Sequence, residues 1–116
     1  MPHIRVELSG NVARPGRLKP FLAALAERLG EFESIESSAV KAYLSVREHF
    51  AMNSEGPPGF AHLEVSLMRG RPLELKRQIA EEMRKMVAEE FEEKVAHNEI
   101  AIAVEIREMD PETYLR

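Results

Sequence analysis

The sequence predicts an α/β fold: an α+β two-layer sandwich in which two helices cover one face of a four-stranded mixed sheet. Three observations carry that prediction. Four short stretches alternate strictly between apolar and polar residues, and two longer stretches repeat apolar residues at helical spacing. The order strand, helix, strand also occurs twice, with a period of roughly 58 residues. One domain over 1–116 is expected, built from two β-α-β units at about 2–47 and 60–108.

The first strand begins at the chain start, where Ile4, Val6 and Leu8 alternate with His3, Arg5, Glu7 and Ser9. Gly10 to Gly16 then reads as a loop, and a helix is expected from about Arg17. Leu18, Phe21, Leu22, Leu25 and Leu29 make its apolar stripe, Pro20 falls in the first turn where a missing N–H costs least, and Gly30 is placed to stop it. The polar run Glu31 to Ser38 leads to a second strand, with Val40, Ala42, Leu44 and Val46 on one face and Lys41, Tyr43, Ser45 and Arg47 on the other.

Glu48 to Gly59, rich in Gly and Pro, reads as an extended connection. The third strand sets Ala61, Leu63, Val65 and Leu67 against His62, Glu64, Ser66 and Met68. Arg69-Gly70-Arg71-Pro72 turns the chain into a second helix, whose stripe is Ile79, Met83, Met86, Val87 and Phe91 and whose solvent face carries the Glu81–Lys85 pair. Ile100, Ile102, Val104 and Ile106 alternate with Ala101, Ala103, Glu105 and Arg107 in a fourth strand. Within each unit the strands are expected to run parallel, joined by a right-handed crossover. Two helices cover one sheet face only. The other mixes charges with small residues, which predicts packing against further copies of the chain, a homo-oligomer.

Composition narrows the function classes. A chain of 116 residues, 44% hydrophobic and 31% charged, is enough for one modest core. It has no cysteine, hence no disulfide, thiolate nucleophile or cysteine metal site. His3, His49, His62 and His97 are too dispersed for a metal motif, so no metal is expected. A net charge of −4 and a pI near 5.6 argue against nucleic acid as a partner. No run approaches the ~18 apolar residues of a membrane span, and no signal-peptide-like run follows the start, so neither membrane association nor export is expected and the chain is read as cytoplasmic.

The chemistry-bearing candidate is Pro2. Aminopeptidases trim an initiator methionine when proline or a small residue follows, so the mature chain is expected to begin with a secondary amine held at the end of a strand. A free α-amino group titrates near pH ~8, within reach of general-base work once burial or nearby cations lower it. Met-Pro alone is unremarkable, proline being about 5% of residues generally.

The opening Met1-Pro2-His3 with Glu7 and Ser9, the segment Phe60-Ala61-His62-Leu63, and Gly70-Arg71 followed by Leu73-Glu74 together resemble the tautomerase superfamily. Within it, the resemblance is to the 5-carboxymethyl-2-hydroxymuconate isomerase family and runs over nearly the whole chain. The second half is also similar to the single β-α-β subunit of 4-oxalocrotonate tautomerase, where a Gly-Arg pair leads into the helix and the last strand ends in Glu-Met, here Glu108-Met109. The resemblance implies a homotrimeric, cofactor-free isomerase of aromatic-acid degradation that acts on a small dicarboxylic or tricarboxylic acid. Pro2 would be its general base and then acid, and Arg71 a bidentate partner for a substrate carboxylate. Where the family has an arginine on the second strand this chain has Lys41, with Arg47 and Arg69 as substitutes; lysine supplies charge without the planar fork. Two other readings stand beside this one: a non-catalytic oligomer that serves as scaffold or small-ligand binder, and another tautomerase-fold activity, such as one on arylpyruvates or a dehalogenase-like hydrolysis.

Overall fold

The computed structural model describes residues 1–116. Strand β1 (His3–Ser9) leads through a single 3₁₀ turn at Pro15–Arg17 to helix α1 (Leu18–Gly30), and a second 3₁₀ turn at Ser37–Ala39 precedes strand β2 (Lys41–Arg47). The second unit comprises strand β3 (Gly59–Met68), helix α2 (Leu73–Glu90), the short helix α3 (Glu92–Ala96) and strand β4 (Ile100–Met109). The sheet order is β2-β1-β3-β4. β1 pairs with β2, and β3 with β4, in parallel; β1 and β3 meet antiparallel, so the two units join along the middle of one mixed sheet.

The alternation in β1 and β3 sends Ile4, Val6, Leu8, Ala61, Leu63, Val65 and Leu67 beneath the helices, all buried. From above, α1 supplies Phe21, Leu25 and Leu29, and α2 supplies Ile79, Met83 and Val87, with Phe21 and Phe91 meeting edge to face at 5.8 Å. Parallel strands joined by crossover helices bury the middle strands most. The edges are looser, and Ala42, Leu44, Ile102, Val104 and Ile106 are only partly covered.

Several details depart from the sequence expectations. Gly30 is the last residue of α1 rather than the stop beyond it, with the Glu31 N–H closing the helix on Arg28 O at 3.1 Å. Its neighbour explains the glycine: a Cβ there would lie 2.8 Å from Ser37 Cβ. Val40 falls just before β2 instead of within it. The stripe of α2 does reach Phe91, which is buried with Ile79, Met83 and Val87, but the helix itself ends at Glu90, because Phe91 (φ −113°, ψ 33°) leaves helical geometry and separates α2 from α3. Ser9 and Ser66, expected on the open polar face, are buried. Ser9 survives burial because its hydroxyl accepts the Phe60 N–H at 2.8 Å and donates to Asn11 Oδ1 at 2.7 Å. This packing also accounts for Gly59, where a Cβ would lie 2.7 Å from both Asn11 Oδ1 and Val12 Cγ1.

Candidate active site

Parallel pairing of β1 with β2, and antiparallel pairing of β1 with β3, brings the start of β1 beside the start of β2 and the end of β3. At that end of the sheet lies a cleft of about 190 Å3, lined by Met1, Pro2, Ser34, Glu36, Ala39, Met68, Arg71 and Arg116. Pro2 enters it from β1, Arg71 from the β3–α2 turn, and Ser34 and Glu36 from the connection between α1 and β2.

Backbone chemistry anchors each of these. The Pro2 carbonyl accepts the Lys41 N–H at 3.3 Å, tying the chain start to β2. Gly70, at φ +121°, takes the left-handed conformation that bends the chain sharply between Arg69 and Arg71. Arg71 is half-buried and held by three hydrogen bonds: Nε donates to Ser34 Oγ at 3.0 Å, Nη2 to the Ser34 carbonyl at 2.9 Å, and Nη1 to the Met68 carbonyl at 3.2 Å. A guanidinium fixed in this way is an electrophilic wall beside Pro2, suited to a carboxylate.

Of the four residues singled out from sequence, the structure brings Pro2 and Arg71 together and leaves the other two outside the cleft. Lys41 pairs with His3 in the sheet register, and its exposed side chain belongs to the open sheet face, where the His3 and Tyr43 rings stack 6.2 Å apart. Arg69 is exposed and bound to Asp110 at 3.4 Å, while its N–H extends the β3–β4 ladder to the Met109 carbonyl at 3.0 Å. Arg47, the other substitute, pairs with Glu7 at the far end of β2. Three lining residues carried no sequence signal. Ser34 and Glu36 lie in an aperiodic polar run and Arg116 in the tail, so only folding reveals their neighbourhood.

A larger depression of about 670 Å3 occupies the opposite end of the molecule, between Asn11–Arg14 and Glu89–Glu99. Five glutamates line it, and Arg14 there is already committed to Glu90 at 3.1 Å. A carboxylate ligand would meet net repulsion in that place, so volume is a poor guide here and the small cleft is the better candidate.

The model of the 5-carboxymethyl-2-hydroxymuconate isomerase family matches residues 2–116. The chain belongs to that family. It is therefore an isomerase. No curated protein matches it. Among solved structures, a 5-carboxymethyl-2-hydroxymuconate isomerase from Deinococcus radiodurans R1 superposes with a TM-score of 0.87 at 20% identity, covering 99% of this chain and 87% of that one. A 5-carboxymethyl-2-hydroxymuconate delta-isomerase gives 0.71 at 17% identity over 100% and 87% of the two chains. A fused wild-type 4-OT symmetric trimer gives 0.72 at 18% over 93% and 85%. At such identities these likenesses show that the isomerase shares their fold.

Proposed function

We propose that this isomerase is a cofactor-independent enol–keto tautomerase acting on a 2-hydroxymuconate-type carboxylic acid, with Pro2 as its general base and then its general acid. Once Met1 is removed, the Pro2 nitrogen takes the proton of the dienol hydroxyl. The electron pair moves along the conjugated system, and the same nitrogen returns the proton to a distant carbon, leaving a ketone with transposed double bonds. Arg71 holds a carboxylate and stabilises the dienolate through charge-assisted hydrogen bonds. Arg71 and Arg116 favour the neutral amine that a base must present, while Glu36 opposes them. Lys41 and Arg69 lie outside this cleft within one chain, so a second carboxylate is assigned to Lys41, or to Arg69 in its place, only in a pocket shared between subunits. The reading extends to a homotrimer in which subunits abut through the open sheet face, working in the cytoplasm on a degradation product of aromatic acids.

The observation that carries the reading is the shared cleft of Pro2 and Arg71, two residues 69 positions apart (71 − 2) that close around one small volume. The test is Pro2→Ala, processed at Met1, assayed by ultraviolet-monitored ketonisation of 2-hydroxymuconates and phenylenolpyruvate. A general base contributes ~10²–10⁴-fold, so turnover should fall by that order with little change in Tm. Undiminished turnover rules out Pro2 as the base.

A second reading turns on the processing of Met1. With Met1 attached the Pro2 nitrogen is an amide with no basic lone pair, and such a chain can act only as a scaffold or small-ligand binder. Intact mass of the protein from its native source separates the two: retained methionine supports the binder, and its loss supports the tautomerase.

A further inference from the structure

Ser34 stands out on backbone geometry and on bonding together. Its φ of 67° lies in the left-handed region, which a non-glycine residue enters only when its surroundings over-determine it, and such outliers gather at ligand clamps and active sites. In that conformation two acceptors of a single residue, its hydroxyl and its carbonyl, meet the same guanidinium: Arg71 Nε reaches Ser34 Oγ at 3.0 Å and Arg71 Nη2 reaches Ser34 O at 2.9 Å. An arginine carries five N–H groups. Ser34 takes two and the Met68 carbonyl, at 3.2 Å, takes a third, which leaves one N–H on each of the two terminal nitrogens. Both remaining donors belong to a group that lines the cleft with Pro2.

We propose that Ser34 is a positioning residue for the isomerisation: its left-handed turn clamps Arg71 so that one N–H on each terminal nitrogen is presented to a substrate carboxylate. The inference rests on the carboxylate role given to Arg71 above. The clamp fixes a long, otherwise flexible side chain before substrate arrives, so the ordering cost is met in folding rather than in binding. Ser34 touches no substrate in this arrangement and acts through Arg71 alone. Its effect should therefore appear only where Arg71 has one.

The experiment uses Met-free protein and steady-state kinetics on 2-hydroxymuconate and on phenylenolpyruvate. Ser34→Ala, Ser34→Gly, Arg71→Ala and the Ser34→Ala/Arg71→Ala double variant are compared with wild type. Ser34→Ala removes the Nε partner, and Ser34→Gly removes it while relieving the left-handed backbone, so the glycine variant folds without strain. On each substrate that Arg71→Ala impairs, both Ser34 variants should lower kcat/KM about tenfold, the scale of one hydrogen bond to a charged group, chiefly through KM. Added to Arg71→Ala, Ser34→Ala should change nothing further. A Ser34 loss that persists undiminished in the Arg71→Ala background marks a merely structural residue and overturns the proposal. So do wild-type kinetics in both Ser34 variants while Arg71→Ala is impaired. If Arg71→Ala is itself silent on both substrates, the functional reading falls, and the role of Ser34 falls with it.

Discussion

Arg71 illustrates how much of this site depends on donor geometry rather than on charge. Lysine at that position would keep the cation but could not bond the Ser34 hydroxyl, the Ser34 carbonyl and the Met68 carbonyl while still presenting a planar pair of donors. Both Arg71→Lys and Arg71→Ala should therefore weaken kcat/KM toward a carboxylate substrate, the alanine change by roughly 1.5–3 kcal/mol, as steady-state kinetics will read. Gly59 makes the contrasting case of a residue chosen by space alone. Its missing side chain admits Asn11, Val12 and Ser9, and the Ser9 hydroxyl bonded to the Phe60 N–H fastens the β1 end to the start of β3. Gly59→Ala should cost about 1–3 kcal/mol in denaturant unfolding, with activity per folded molecule intact, since the strained contacts lie at the end of the sheet away from Pro2.

Each element is recognisable from its period, yet none is held by its period alone. Helix α1 has neither an acidic first turn nor a side-chain N-cap, so its stability rests on Phe21, Leu25 and Leu29 against the sheet. Leu25→Ala, at a fully buried position, should destabilise the fold by about 2–5 kcal/mol in chemical denaturation. Ion pairs tie the two helices to each other and to the loops. Arg28 reaches Glu82 across the helix pair at 3.3 Å, and Arg14 and Arg17 both grip Glu90 at 3.1 Å near the end of α2. The hydrogen bonding of Arg17 to the Glu90 carboxylate, which accepts, and then the charge of Glu90 raise the Arg17 pKa. A raised pKa contributes stability that is complete below the ordinary arginine range and is lost only as pH rises through the folded value, so this pair adds no pH dependence near neutrality. It should instead respond to salt: raising ionic strength should lower the Tm of the wild type more than that of Glu90→Gln, as a thermal-melt series will show.

For the whole molecule the consequential surface is the open face of the sheet. Glu64 bonds Arg5 at 3.3 Å and Arg107 at 3.4 Å, linking β1, β3 and β4, and Glu7 pairs with Arg47 across β1 and β2. No helix covers this network, and both edge strands are free. The proposed trimer should appear in light scattering at about three times 13.2 kDa. Glu64→Lys would set a third cation between Arg5 and Arg107 and should shift the assembly toward monomer. A wild-type protein that remains monomeric at micromolar concentration would remove the shared-face architecture.

The strands, the two helices and the side each buries were legible in the sequence, because periods of 2 and 3.6 are local properties that burial of one face imposes on every element. Pro2 and Arg71 were named from the sequence only through the family resemblance that the Met-Pro start and the Gly-Arg turn help to carry. Their meeting was not legible, for it depends on β1 and β3 running antiparallel, a choice made by packing across the middle of the sheet. Tertiary structure likewise decided that Pro2 lines the cleft while Lys41 lies outside it, that Arg69 is occupied by Asp110, and that Ser34 holds Arg71. A hydrogen bond across 37 residues, formed in a segment without periodicity, leaves no trace in local composition. It exists only once the chain has closed on itself.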